Sequence, residues 1–175
     1  MKGYLKVLNP LVATAVLLVG IVYLLAFTSR TTATHRFDAV CPAIGAQTSI
    51  RLPNQTMISA EISCRPRELS TGLMNRNTLP ANRGMLFIYQ KSGHHRHWMY
   101  HCSLPLDMVW LDAGKHVLEI QNDVPPCQSG IPFACPTYGT TKEAKYVLEL
   151  NAGIVSAARL KMRDLLDFSV PGEKL

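Results

Sequence analysis

The residues with the greatest chemical potential lie together in one stretch, residues 97–107, which reads His-Trp-Met-Tyr-His-Cys-Ser-Leu-Pro-Leu-Asp. If the chain is extended here, the side chains of His95, His97, Met99 and His101 point to one face. Imidazole and thioether ligands suit copper, and imidazole alone suits zinc or copper. Same-face neighbours on a strand lie roughly 6–7 Å apart, too far for all of them to bind one ion without a bend. A half-buried strand without a cofactor therefore fits the pattern better, and a copper or zinc site at His97, Met99 and His101 is the alternative.

The same stretch and one later strand contain the candidate groups for nucleophilic and acid–base chemistry. Cys102 has His101 beside it and Asp107 nearby, but neighbours in a strand point to opposite faces. We therefore expect a free, buried thiol rather than a nucleophile. Asp107 and Glu149 are the acids that could act as a proton-transfer pair. Their ordinary roles are backbone binding in the turn after Pro105 and an outward, partner-facing charge, respectively. The sequence assigns no catalytic residue and favours binding over catalysis.

The N-terminal part predicts a membrane anchor. Residues 7–27 contain no charged side chain, and about 20 apolar residues suffice to cross a bilayer. The run exceeds the roughly 7–15 residues of a signal-peptide core, so we predict an uncleaved signal anchor. Lys2 and Lys6 place residues 1–6 in the cytoplasm. The rest of the chain then lies outside the cytoplasm, in the periplasm if the host is a Gram-negative bacterium.

Composition supports this location and narrows the partners. The chain has 175 residues and five cysteines, and all five lie beyond the predicted span, as expected of a domain in an oxidising compartment. The net charge is +6, but the basic residues are dispersed, so we expect no nucleic-acid partner. The lipid bilayer, through residues 7–27, and a membrane-protein complex are the expected partners.

The pattern after the span predicts a mainly β domain. Residues 28–36 read as a polar linker, and residues 37–175 form the extracytoplasmic β-rich domain. Many short strands with one or two short helices are typical of a β-sandwich or a partly closed barrel. Helices are expected from Pro66 and over 154–159. Strands are expected over 48–52, 57–62, 85–89, 108–111, 116–120, 146–150 and 165–168.

Together, these segments resemble a known family. The residues that carry the resemblance are Gly72-Leu73-Met74, Arg76 to Pro80, Gly84 to Phe87, Trp98-Met99, Pro105-Leu106-Asp107, Pro125-Pro126-Cys127, Cys135 to Tyr138, and Tyr146 to Gly153. In order and spacing they resemble the domain of unknown function 192 family, also called uncharacterised protein family 0127, over about residues 58–168. The resemblance implies a compact, jelly-roll-like β domain that is often exported or anchored. It implies no activity.

The resemblance also implies specific residues. Cys127 and Cys135 occupy the paired-cysteine positions of the family. Apart from the resemblance, five cysteines allow 15 ways to form two bridges, and Cys41 with Cys64 is a possible second pair. The family-motif or pocket residues that it points to are Gly72, Met74, Arg76, Trp98, Met99, Pro105, Asp107, Glu149 and Asn151.

This chain departs from the family pattern within residues 97–107. Tyr100, His101 and Cys102 stand where the family commonly has Lys-Asn-Thr, and His97 replaces an aromatic residue. Near the C-terminus, Arg163 stands where a turn glycine is expected. A specialised role, or the loss of an ancestral one, would show at these positions.

We therefore predict a membrane-anchored extracytoplasmic binding or structural domain, serving as an accessory or scaffold subunit of a larger membrane-protein complex. The alternative is a metal-handling or small-ligand-binding domain centred on residues 97–107.

Overall fold

The computed structural model describes residues 41–171, which form eight strands and two short helices. The predicted span over residues 7–27 and the linker over 28–36 lie outside this range. None of the helices within it is long and apolar enough to cross a bilayer. The elements are β1 (Gln47–Arg51), β2 (Met57–Ser63), α1 (Pro66–Thr71), β3 (Arg83–Gly93), β4 (Arg96–Trp98), β5 (Leu106–Leu111), β6 (Val117–Val124), β7 (Thr137–Gly139), β8 (Ala144–Asn151) and α2 (Ile154–Ala158), with a 3-10 turn at Pro132–Ala134.

The strands form one mixed six-stranded sheet and one two-stranded sheet. The order in the large sheet is β1-β2-β3-β8-β5-β6, and β4 pairs with β7. Strands β2 and β3 are parallel, whereas the other pairs are antiparallel. A parallel pair needs a crossover connection, and α1 lies in it. The mainly β prediction is confirmed, but one sheet is much larger than the other, unlike a sandwich of two comparable sheets.

The C-terminal segment connects the two edges of the large sheet. The Arg51 N–H donates to the Asp167 carbonyl at 3.0 Å, and the Leu166 N–H donates to the Lys115 carbonyl at 3.1 Å. Arg51 is the last residue of the edge strand β1, and Lys115 lies two residues before the other edge strand, β6. Backbone groups that an open sheet would expose are thus paired. The C-terminal segment therefore links the two edges of the mixed six-stranded sheet.

Both faces of the central strands are buried, which explains their apolar runs. Leu86 and Leu148 belong to one hydrophobic cluster, and their neighbours Phe87 and Val147 belong to the cluster on the opposite face. Successive side chains of a strand point to opposite faces, so a strand covered on both sides is apolar throughout. A polar side chain in the covered middle of these strands must therefore find a partner inside the protein, whereas the end of β3, over residues 90–92, is exposed.

Asp107 on β5 is the clearest case of such pairing. It is fully buried. Its Oδ1 accepts a hydrogen bond from the Asp123 N–H at 2.9 Å, and its Oδ2 accepts one from the Val155 N–H at 2.8 Å. The amides that it binds belong to β6 and α2 rather than to the turn after Pro105. Asp107 thereby joins three elements.

Two disulfides cross-link the domain, as predicted. One joins Cys127 to Cys135, and the other joins Cys41 to Cys64. The fifth cysteine, Cys102, is free and buried, which confirms its expected state.

Loss of the Asp107 carboxylate should destabilise the protein. In Asp107→Asn the amide keeps the shape of the side chain but turns a donor towards one buried backbone N–H. We expect a loss of about 2–4 kcal/mol in the free energy of unfolding, because a buried donor is left unpaired in a low-dielectric site. Chemical denaturation of the full chain, followed by near-ultraviolet circular dichroism, measures this.

The matched control is Glu143→Gln, which removes the charge of an exposed acid and should change stability by less than about 0.5 kcal/mol. Equal stability of Asp107→Asn and the wild type would contradict the structural role of the carboxylate.

Candidate functional site

His97 lies at the centre of a buried polar cluster. Its Nδ1 is 2.8 Å from Glu149 Oε1, and its Nε2 is 2.8 Å from the Tyr89 hydroxyl. The side chains of His97 and Glu149 are 6% and 5% exposed. The His97 and Phe87 rings pack perpendicular to each other, with 4.6 Å between their centroids. A buried carboxylate needs a partner, and His97 provides it.

Strand β4 positions His97, although it is only three residues long. It pairs with β7 through His97 and Tyr138, and the Arg96 guanidinium donates to the Thr137 carbonyl at 2.9 Å. On the other side, the Trp110 Nε1–H donates to the His95 carbonyl at 2.9 Å. These contacts anchor the two residues that precede His97, and with the β4–β7 pairing they hold the backbone that carries its ring.

The hydrogen bonds around His97 form a continuous chain. Burial, together with the charge on Glu149, raises the pKa of Tyr89 well above its usual value. The neutral Tyr89 hydroxyl can donate to His97 Nε2, which leaves the proton of a neutral ring on Nδ1 to donate to Glu149. Glu149 is thus an inward-facing acid, and the expectation of an outward, partner-facing charge was wrong. Its neighbours on β8 are apolar because both faces of that strand are covered.

Cys102 shares a small cavity with His97 and Glu149. The cavity has a volume of about 30 Å³, and Met74 and Trp98 also line it. Burial raises the pKa of Cys102 to about 12, with the Glu149 charge as a second cause. Because the thiolate is the nucleophile, such a thiol is unreactive at neutral pH.

The geometry around residues 97–101 differs from one continuous strand. Strand β4 ends at Trp98, and His101 has a left-handed backbone with a φ of 53°. Alternation therefore does not extend from His97 to His101. The left-handed conformation also explains why the resemblance places asparagine there, since asparagine tolerates it well. The copper or zinc site at His97, Met99 and His101 remains a prediction.

Within residues 41–171, one group of three His, Cys, Asp or Glu ligand atoms is close enough to hold a metal ion. It consists of Cys41, Cys64 and Glu68. The two cysteines are joined in a disulfide, so neither presents a thiolate to an ion.

The hypothesis that Asp107 and Glu149 act as a pair does not fit the sheet. Asp107 is opposite Leu150 on β8, and Glu149 is opposite Met108 on β5. Adjacent positions point to opposite faces, so the two carboxylates lie on different sides of the sheet. They cannot exchange a proton directly.

A larger groove lies beside the buried cluster. It has a volume of about 510 Å³ and is bounded by α1, the end of β2 and the loop before β1. Ile44, Ile62 and Met85 contribute apolar surface to it. This volume lies within the range of about 300–1,000 Å³ that is typical of small-molecule sites.

Gly72 separates the groove from the small cavity and lines both. Its φ is 48°, and a Cβ at this position would lie 2.9 Å from Phe87 Cζ. A larger residue would thus meet both backbone strain and a close contact. The missing side chain at Gly72 thus allows this close approach to Phe87.

Arg76, another family-motif residue, forms an ion pair inside the groove. Its two terminal nitrogens lie 2.7 Å from the two carboxylate oxygens of Glu61. The hydrogen bonds from Arg76 lower the pKa of Glu61, and those same bonds raise the pKa of Arg76. Both groups therefore stay charged at neutral pH.

Glu68 forms a second charged pair at the start of α1. It accepts hydrogen bonds from the N–H groups of Cys64 and Arg65, each at 3.1 Å, and pairs with the Arg65 guanidinium. Burial alone would raise its pKa, but these hydrogen bonds outweigh burial and lower the pKa. Helix α1 has Arg65 at its N-cap position instead of Ser, Thr, Asp or Asn. Its own Glu68 binds the free N–H groups there instead.

Ser63 is the unusual polar residue of the groove. It is 1% exposed, and among the described residues its Oγ is the buried side-chain oxygen or nitrogen that has no hydrogen-bond partner. Sequence reasoning missed Ser63, Glu61 and Arg67 because their chemistry depends on the parallel β2–β3 crossover. The alternating pattern of β2 does indicate that Glu61 and Ser63 share a face.

The remaining family positions are structural. The Asn151 Nδ2 donates to the Leu79 carbonyl at 2.9 Å, and the Pro105 carbonyl accepts from the Ala152 N–H at 3.1 Å. Met99 is buried. Arg163 has a φ of 73°, which explains why a glycine is expected there.

The pairing of His97 with Glu149 can be tested by a double-mutant cycle. His97→Phe restores the aromatic residue expected from the resemblance but leaves Glu149 buried without its donor. We expect a loss of about 2–4 kcal/mol in the free energy of unfolding. His97→Phe combined with Glu149→Leu should recover most of this loss, because no buried charge remains. Urea denaturation of the full chain measures the free energy of unfolding of the wild type, the two single variants and the double variant.

The exposed neighbour His94 provides the control, since His94→Phe removes no buried contact. Additive effects of the two substitutions would show that the two side chains are not coupled.

The raised pKa of Cys102 predicts resistance to alkylation. A thiol with a pKa raised to about 12 stays protonated between pH 7 and pH 10, so iodoacetamide should label it only after unfolding. The unfolded chain should show labelling that rises through the ordinary thiol pKa of about 8.5. Intact-mass measurement over this pH series checks the prediction, and Cys102→Ala controls for labelling elsewhere. Rapid labelling of the native chain at pH 8 would contradict it.

Comparison with known proteins supports the fold and the family. The chain is 25% identical to a candidate transcription regulator from Sinorhizobium meliloti, with a TM-score of 0.65 over 75% of this chain and 99% of that one. It is 20% identical to a protein of unknown function from Novosphingobium aromaticivorans, with a TM-score of 0.61 over 70% of this chain and 84% of that one. No curated protein matches the chain. The model of the family DUF192, described as an uncharacterized ACR, matches residues 49–168, and this chain therefore belongs to the DUF192 family.

Proposed function

We propose that this protein is a membrane-anchored domain outside the cytoplasm that binds a small ligand in the groove beside α1. The observation that carries this proposal is the groove of about 510 Å³, which is lined by Ser63, a buried residue whose hydroxyl has no hydrogen-bond partner among the described residues. Buried polar groups in folded proteins are nearly always paired. A ligand with a complementary polar group would supply the missing hydrogen bond of the Ser63 hydroxyl.

The location rests on covalent chemistry and on the sequence. Two disulfides, Cys41–Cys64 and Cys127–Cys135, persist in oxidising compartments and are rare in the cytosol. The uncharged run over residues 7–27 is long enough to anchor the chain in a bilayer. Both features favour an anchored extracytoplasmic domain.

Binding fits the site better than catalysis. The Cys102 thiol is protonated at neutral pH because its pKa is raised to about 12. Both ring nitrogens of His97 already have partners, Glu149 and Tyr89. A general base needs a free ring nitrogen within reach of a substrate. The cluster is therefore better suited to holding β4 against the sheet.

An accessory-subunit role is the second candidate, and the loop between Cys127 and Cys135 favours it. Phe133 is 91% exposed and Ile131 is 57% exposed, and the disulfide restrains the loop that presents them. Exposed aromatic residues on a restrained loop are typical anchors of protein interfaces. Docking there would leave the groove open.

The ligand-binding proposal can be tested with two small probes, 3-phenylpropanoate and its neutral counterpart 3-phenylpropanol. The full chain is placed in phosphatidylcholine nanodiscs and titrated by calorimetry, with the heats for empty nanodiscs subtracted. We expect saturable binding of at least one probe, with a Kd on the order of 1 mM or tighter. Thr71→Trp, at the end of α1 where it lines the groove, should abolish binding because the indole fills the space.

Lys142→Trp is the control, because it adds the same side chain at an exposed position that does not line the groove. Saturable binding of neither probe, or equal binding by the Thr71→Trp variant, would contradict the proposal.

A further inference from the structure

The charges of the groove define what it can hold. Three arginines line it, Arg65, Arg67 and Arg76, together with two acids, Glu61 and Glu68. Two of the arginines are neutralised by these acids, at 2.7 Å for Arg76 and 3.1 Å for Arg65. The groove thus has one more positive than negative charge.

Arg67 is the source of this excess charge. Its side chain is exposed, and within residues 41–171 its guanidinium has no ion pair or hydrogen bond. A guanidinium presents a planar fork of donors that matches a carboxylate bidentately. Arg67 is therefore the group of the groove that is free to bind an anion.

The two acids limit the charge of that anion. The pKa values of Glu61 and Glu68 are both lowered, so both carboxylates are ionised at neutral pH. A second negative charge on a ligand would meet them within the same groove, and like charges at short range are unfavourable. One negative charge matches the excess positive charge.

The apolar surface of the groove defines the rest of the ligand. Ile44 is 81% exposed and lines the groove with Ile62 and Met85. An apolar group that covers this surface gains the hydrophobic free energy of burial. The ligand thus has an apolar body as well as its charge.

We propose, building on the ligand-binding function above, that the groove binds a water-soluble carboxylate with one negative charge and an apolar body. Arg67 pairs with the carboxylate, and the Ser63 hydroxyl donates a hydrogen bond to the ligand. The Arg76–Glu61 and Arg65–Glu68 pairs form the walls of the groove and exclude dianions.

The difference in affinity between the same two probes tests this inference. The carboxylate 3-phenylpropanoate should bind at least fivefold more tightly than 3-phenylpropanol, and phenyl phosphate, a dianion at pH 8, should bind more weakly than the carboxylate. Arg67→Gln should weaken binding of the carboxylate roughly fivefold and leave binding of the alcohol unchanged. Lys142→Gln removes a charge outside the groove and should change neither.

Ser63→Ala provides a test with two readouts. Because the hydroxyl has no partner within residues 41–171, its removal should keep or raise the unfolding midpoint while it weakens carboxylate binding about threefold. A merely structural serine would lower the midpoint instead. Ser92→Ala, at an exposed position outside the groove, is the matched control.

The outcomes separate the two proposals. Binding of neither probe overturns the ligand-binding function itself. Equal binding of the acid and the alcohol, tighter binding of phenyl phosphate, or an unchanged affinity in Arg67→Gln leaves a ligand-binding groove but overturns the monocarboxylate inference.

Discussion

Burial of the central strands on both faces is the constraint on which the rest of the structure depends. The middle parts of strands β3, β8 and β5 lie between two hydrophobic clusters, so a polar side chain there has little access to water. Each acid there is held by a specific partner: Asp107 by two backbone amides, and Glu149 by His97. These partners come from segments that cover the sheet. The polar pairs therefore fix where β4, α2 and the end of β6 lie, which apolar packing alone would leave less specific.

The paired polar groups of the His97 cluster and the unpaired polar groups of the groove lie next to each other. On one side of Gly72, the His97 cluster has its hydrogen bonds satisfied within the protein and leaves only a small cavity. On the other side, the groove keeps a guanidinium and a hydroxyl without partners among residues 41–171. Groups that are fully paired stabilise a fold, whereas groups that are preorganised but unpaired are available to a ligand. Under the proposed function, the paired cluster stabilises the fold and the groove binds the ligand.

Much of the fold could be predicted from the sequence, because the strong signals are local. The strands expected over 85–89 and 116–120 depend on neighbours in the chain, and both predictions are confirmed by β3 and β6. The parallel pairing of β2 with β3 could not be predicted, since nothing local distinguishes a crossover from a hairpin. For the same reason Glu149 looked like a surface charge. Its partner, His97, is 52 residues away in sequence, and only the assembled sheet brings the two together. The groove was missed because it is formed by this crossover.

The Cys41–Cys64 disulfide has a mechanical consequence. Cys41 is the first described residue, and the disulfide joins it directly to the end of the segment that contains β1 and β2. Tension applied from the N-terminal side passes through the sulfur atoms to Cys64 and bypasses the β1–β2 hairpin, which lies in the closed covalent loop. The load therefore reaches the domain next to α1 rather than at an edge strand. After reduction of this single bond, the force would act on β1. The hydrogen bonds between β1 and β2 could then break one after another.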